Sequence, residues 1–217
     1  MSELLHKQGI GKPADTESEV FSHDQNSPSR PAHDDSGRGA LFAYTVCALG
    51  IALFIRFFVA APFVVSGTSM ESNFDNWDYL ITDRVSYRLT DPARGDVIVF
   101  HLPQEYSRTL IKRIIGLPGE TVDIEGTRVH VTNATHPDGF FLDEPYLDPE
   151  NLGGPAGTHV TLSSDEYFVM GDNRRVSSDS RSWGTLPREN VIGKVLVRLF
   201  PLSKIDVLPA EARYLQE

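Results

Sequence analysis

Leu110-Ile111-Lys112-Arg113-Ile114-Ile115 is the stretch on which the fold turns. Strict alternation puts Lys112 on one face with Leu110 and Ile114, and Arg113 on the other with Ile111 and Ile115. Both faces are apolar, which describes a strand buried on two sides. A strand end with both cations in water is the alternative that pattern alone leaves open. Outward from it the same period of two recurs in Asp78–Val85, Asp96–Phe100, Val122–Ile124, Val129–Val131, Val160–Leu162, Tyr167–Met170 and Val191–Phe200. Turn chemistry such as Asp91-Pro92-Ala93-Arg94-Gly95 separates them. Gly126-Thr127 fits a tight hairpin between two of these strands. Short strands with few helical stretches predict a mostly-β domain over residues 63–210, with residues 132–158, heavy in Pro, Gly and Asp, as a looping insertion. Residues 211–217 read as a C-terminal tail.

Ahead of this domain the composition changes twice. Residues 1–38 are rich in Ser, Pro, Gly, His and charge, too polar to offset the entropy of ordering, and read as disordered. Residues 39–62 are apolar apart from Arg56, long enough for a helix across a hydrocarbon layer about 30 Å thick, with the arginine snorkelling to one face. A cleaved leader ending near Val59-Ala60-Ala61 and a buried core helix are the competing readings; the acidic leader and the polar tail count against them. Arg30 and Arg38 before the span favour a cytoplasmic N-terminus and an external domain. Eight residue steps lead from Ala61 to Ser69, at most about 29 Å of extended chain, which keeps that serine close to the membrane surface. Phe63, Phe74 and Trp77 are candidates either for the interface or for the core.

A net charge of -10 over 217 residues argues against a nucleic-acid partner. The single cysteine, Cys47, excludes an intrachain disulfide and a cysteine-built zinc site, and the seven histidines lack metal-ligand spacing. No metal or organic cofactor is implied. Chemistry concentrates instead in three segments. Val65-Ser66-Gly67-Thr68-Ser69-Met70 offers a serine directly after the span, Lys112 offers a base if burial keeps it neutral, and Gly171 to Gly184 offers Asp172, Ser177, Asp179 and Arg181 in a polar loop after an apolar strand. Solvated surface polarity remains the bland reading of that loop.

Together these segments resemble the bacterial type I signal peptidases, serine–lysine peptidases of family S26. The match is closest at Lys112-Arg113-Ile114-Ile115-Gly116-Leu117-Pro118-Gly119-Glu120; Ser69-Met70, Gly95–Phe100 and Gly171–Gly184 follow the family's other boxes in order. The resemblance implies an antiparallel β catalytic domain behind one transmembrane helix in the cytoplasmic membrane, acting outside it on exported preproteins with signal peptides. It further implies Ser69 as nucleophile, Lys112 as general base, Ser177 as the hydroxyl holding the lysine amine, and Asp179, Arg181, Arg113 and Asp172 in support. Three departures stand out. Glu71-Ser72-Asn73-Phe74 replaces the usual x-Pro-Thr-Leu, which predicts a looser nucleophile turn or an altered pocket wall. Gly67 stands where some members carry an oxyanion-holding serine, and Arg175-Val176 replaces Asp-Asn. An inactive binding protein on the same fold, motivated by Glu71–Phe74, and a self-cleaving repressor-type serine–lysine peptidase are the rival readings.

Overall fold

The computed structural model describes residues 36–210, 212 and 214; the expected disorder of the first 35 residues lies outside them. A 19-residue helix, α1 (Ser36–Phe54), leads through a wider π-type turn at Ile55–Val59 straight into strand β1 (Ala60–Val64). Then come β2 (Tyr79–Asp83), a short helix α2 (Ser86–Leu89), β3 (Val97–Leu102), β4 (Glu105–Gly116), β5 (Thr121–Glu125), β6 (Arg128–Thr132) and β7 (Phe140–Phe141). The chain closes with β8 (His159–Thr161), β9 (Glu166–Met170), helix α3 (Ser180–Trp183), β10 (Leu186–Pro187), β11 (Val191–Phe200) and β12 (Asp206–Val207).

Two antiparallel sheets result. The larger runs β1-β2-β11-β3-β4-β9-β10, with β12 beside β11; the smaller runs β7-β6-β5-β8. Strand β4 carries apolar side chains into all three cores: Ile111 packs with Met70, Phe74, Val97 and Val99, Ile114 with Ile98, Phe100 and Val169, and Ile115 with Val122, Val131 and Phe168. The buried reading of this strand therefore holds, and its solvated alternative does not, because Lys112 and Arg113 are 2 % and 0 % exposed. Gly116 sits where the smaller sheet crosses the end of β4. A Cβ there would lie 2.5 Å from Val122 Cγ2 and 2.8 Å from Leu162 Cδ1, so only glycine lets the layers close.

The apolar run is divided differently from the expected single span. Its regular helix stops at Phe54, and residues 60–64 are an edge strand paired with β2 from Ala60↔Asp83 to Val64↔Tyr79. Pro62, lacking an N–H, is accommodated because β1 is the sheet's edge. Every residue from Gly37 to Arg56 is exposed, which removes the core-helix reading; Gly37–Phe54 has mean hydropathy 1.5 and is long and apolar enough to cross a membrane.

The insertion and the C-terminus are more integrated than composition suggested. Gly126-Thr127 joins β5 to β6 as expected. Leu142 is buried, Tyr146 returns to stack on Arg113, and Tyr214, within the expected C-terminal tail, packs on the smaller sheet's core and hydrogen-bonds the Tyr146 hydroxyl at 2.9 Å. Of the three aromatic candidates, Phe74 is core and Phe63 packs partly against it, whereas Trp77 is 71 % exposed.

Gly116→Ala should destabilise the domain by about 1–3 kcal/mol through overpacking at this crossing. Urea unfolding of the detergent-solubilised chain measures it; unchanged stability would mean the layers are not held this tightly.

Candidate active site

Ser69 emerges from a tight turn just past β1. The turn is closed by Glu71 N–H to Thr68 O and by the amides of Asn73 and Phe74 to Met70 O. From the other side Asn173 N–H donates to Ser69 O at 3.0 Å. Gly171 approaches so closely that a Cβ would lie 2.4 Å from Ser69 O and 2.2 Å from Ser177 Oγ. The loop after β9 therefore clamps the Ser69 backbone.

Lys112 Nζ lies 2.8 Å from Ser69 Oγ and 2.8 Å from Ile111 O. Burial pushes the ammonium down to about 8, against the opposing pull of Asp179 and Asp172; Arg108 adds a smaller push in the same direction as burial. An amine that loses its proton near neutrality, within hydrogen-bond reach of a hydroxyl, can accept that hydroxyl's proton.

Arg113, one residue along, receives the opposite treatment. Its Nε and Nη2 donate to the two carboxylate oxygens of Asp172 at 2.9 and 2.6 Å, and Nη1 donates to the carbonyls of Gly95 and Ala210. The Tyr146 ring lies 3.9 Å from the guanidinium carbon. Asp172 raises the arginine's affinity for its proton in spite of burial. Asp179 is gripped by Arg181 through two bonds of 2.8 Å and accepts Gly171 N–H at 3.0 Å, so its carboxyl stays below the usual range although burial works against it. Arg181 in turn donates to the carbonyls of Arg174 and Gly153. The i, i+2 pair in the sequence is thus a closed ion pair bracing the Gly171 loop.

One expected contact is absent. Ser177 Oγ is buried beside Gly171 with no partner at hydrogen-bond distance, contributing only a weaker polar contact to Asp179. The lysine amine is held by Ile111 O instead. The expected loosening at Glu71–Phe74 is also not found. Asn73 Nδ2 donates to Asp172 Oδ2 at 2.8 Å and to Tyr146 O at 2.9 Å, Phe74 is wholly buried, and Asn151 Nδ2 donates to Glu71 O. The departing tetrad is stitched to the aspartate behind the site.

Asn73, Tyr146, Asn173 and the buried Arg174–Glu144 pair are site-supporting residues that sequence reasoning missed. Tyr146 and Glu144 sit in an insertion without periodicity, and only their being aromatic or charged amid Pro and Asp marked them. Among the described residues no His, Cys, Asp and Glu group is arranged to hold a metal ion.

Known proteins resemble this sequence over most of its length. Residues 38–200 match the family model described as "Signal peptidase, peptidase S26". The probable signal peptidase I-1 of Synechocystis is 41 % identical over 72 % of this chain and 80 % of its own. Signal peptidase I of Leptolyngbya laminosa is 35 % identical over 88 % of this chain and 95 % of its own. A crystal structure of signal peptidase I from Enterococcus faecalis aligns with TM-score 0.41 and 31 % identity, over 48 % of this chain and 97 % of that one. With three quarters of its length under that family model, the chain belongs to the S26 signal peptidase family and is a hydrolase.

Proposed function

We propose that this protein is a membrane-bound serine endopeptidase that removes signal peptides from exported preproteins, with Ser69 as nucleophile and Lys112 as general base. The observation that carries the reading is the 2.8 Å approach of a buried lysine amine, its pKa lowered to about 8, to the Ser69 hydroxyl. In the cycle, neutral Lys112 takes the Ser69 proton as Oγ attacks the scissile carbonyl, then gives it to the leaving amine. Water releases the acyl-enzyme with the same base. For the oxyanion, Gly67 has no side chain to offer and its amide is occupied by Asn76 Oδ1 at 3.0 Å. The Ser69 amide donates to no acceptor among the described residues and is left to face the developing charge. Arg113, Asp172, Asp179 and Arg181 position the two strands and the loop that meet at the pair.

Helix α1 is the anchor in this reading, and the domain lies outside the cytoplasm. Support comes from an exposed apolar band along one sheet end: Trp77 and Tyr79, then Phe200, Leu202, Ile205 and Val207, with Tyr79 directly opposite Phe200 in register. Such an exposed apolar band suits the interfacial layer, where tryptophan and tyrosine favour headgroup depth. Preproteins still held in the bilayer by their apolar segment present their cleavage site at that level.

Three outcomes follow for the full chain in detergent with a model preprotein. Ser69→Ala should abolish cleavage, and Lys112→Ala should lower kcat by about 10²–10⁴-fold; cleavage persisting in Lys112→Ala removes the base assignment. The pH profile of kcat/KM should rise along an acid limb with apparent pKa about 8. The same burial has a stability signature. An unfolded lysine keeps its proton up to about 10.5 and the folded one only to about 8, so between these values the unfolded chain binds more protons and stability rises with pH. Lys112→Met should therefore be more stable than wild type at neutral pH, by up to about 3 kcal/mol, with the gap closing as pH climbs through that window. Asp172→Ala, leaving Arg113 buried without its carboxylate, should cost about 3–5 kcal/mol in denaturant unfolding.

A further inference from the structure

Ser69 rides on the loop between β1 and β2, whose stem is closed by Val65 N–H to Asp78 O and Trp77 N–H to Val65 O, both at 2.9 Å. Beyond that stem, one residue of the loop is held from four directions. Asn73 N–H donates to Met70 O at 3.0 Å inside the turn, and Asn73 O accepts from Arg198 Nη1 at 2.7 Å. Its side-chain amide nitrogen donates to Asp172 Oδ2 at 2.8 Å and to Tyr146 O at 2.9 Å. A carboxylate and a carbonyl only accept, so the amide has one orientation that satisfies both. Arg198 is itself fixed. It belongs to β11 in the larger sheet, pairs with buried Asp78 at 3.2 Å and donates through Nε to Lys204 O at 2.8 Å. The turn after Ser69 is therefore braced by the sheet on one side and by Asp172 on the other.

The second brace bears on charge as well as place. Asp172 is one of two carboxylates that pull the Lys112 amine toward its charged form. Arg113 fills its Oδ1, and Arg113 and Asn73 together fill its Oδ2. The other charged groups about Lys112 are Asp179, tied to Arg181, on the loop after β9, and Arg108 and Arg113 on its own strand. We propose that Asn73 is a positioning residue of the Ser69–Lys112 pair: it sets the turn after Ser69 against β4 and, through the same amide, keeps the Asp172 carboxylate turned to Arg113 rather than to the lysine. Its effect on cleavage rests on the serine–lysine reading above. Its hold on Asp172 can be read from the lysine directly.

The full chain in detergent, carrying isotope-labelled lysine, is titrated by NMR, with Lys112→Met identifying the resonance, and cleavage of a model preprotein is followed on the same samples. Asn73→Asp keeps the shape of the side chain but sets a second carboxylate against Asp172, so Lys112 should titrate at higher pH than in wild type. Asn73→Leu removes the donation without adding charge and should move the titration the same way by less. The acid limb of kcat/KM should follow each titration. In Asn73→Leu, kcat should fall by up to about 10²-fold with KM held within about two-fold. Asn73→Thr, whose hydroxyl still serves one acceptor, should lie between wild type and Asn73→Leu, and keeps the test decisive should the leucine variant unfold. A Lys112 titration that stays put in Asn73→Asp overturns the inference. So does a loss of cleavage that appears in KM alone or merely tracks the unfolded fraction. A wild type that cuts nothing, with a Lys112 titration that still moves in Asn73→Asp, keeps the hold on Asp172 and loses the proteolytic proposal.

Discussion

Two adjacent cations cannot both be withdrawn from water on equal terms, and the arrangement of β4 follows from that constraint. Lys112 and Arg113 are both enclosed, yet Arg113 meets a bidentate carboxylate, two carbonyls and an aromatic face, while Lys112 meets a hydroxyl and a carbonyl. A guanidinium cannot surrender its proton in a protein, so it must be neutralised by a partner. An ammonium can, and the cheaper response to burial without a carboxylate at contact distance is to lose charge. Asp179 and Asp172 still pull the amine toward its charged form, so the separation of Asp179 from the lysine by its own grip on Arg181 matters. A lysine that loses its proton readily and a permanent cation thus arise from one strand by different partners.

The rest of the domain arranges those partners. Asp172 is shared between Arg113 on β4 and Asn73 on the turn that follows Ser69, so one carboxylate ties the Lys112 strand to the Ser69 segment. Asn73 also donates to the Tyr146 carbonyl, and the Tyr146 ring covers the guanidinium, which makes the insertion a roof over the buried ion pair. Below it, Arg174 pairs with Glu144 of the same insertion, and Arg181 with the carbonyls of Gly153 and Arg174. Polar groups here are satisfied in a connected set, so a change at one member is felt at several.

The strands were legible because alternation reports burial directly: β3, β4, β9 and β11 fall within a few residues of where period and turn residues put them. So was the approach of Ser69 to Lys112, through family resemblance rather than spacing, since nothing in a separation of 43 residues says that two side chains meet. Three matters were not legible. Residues 60–64 are as apolar as the helix before them, and only pairing with β2 reveals an edge strand. Tyr146 and Tyr214 act through contacts across 68 residues, which leave no local pattern. Asn73 looked like a loss because it replaced a familiar residue; its amide gains two acceptors that the sequence alone does not bring into view.

The direct passage from helix through Val59 into β1 has a further meaning in the proposed membrane setting. Strand β1 is hydrogen-bonded to β2 from its first residue, so no slack tether intervenes between the turn that ends the apolar helix and the sheet that leads to Ser69. Under that proposal an enzyme built in this way would work as a gauge. The height of its cutting point would be written in a fixed number of strand residues, and a substrate would be selected by how far its small residues stand above the end of its own apolar segment. Lengthening that strand would move the cut along every substrate alike, leaving the chemistry at Ser69 untouched.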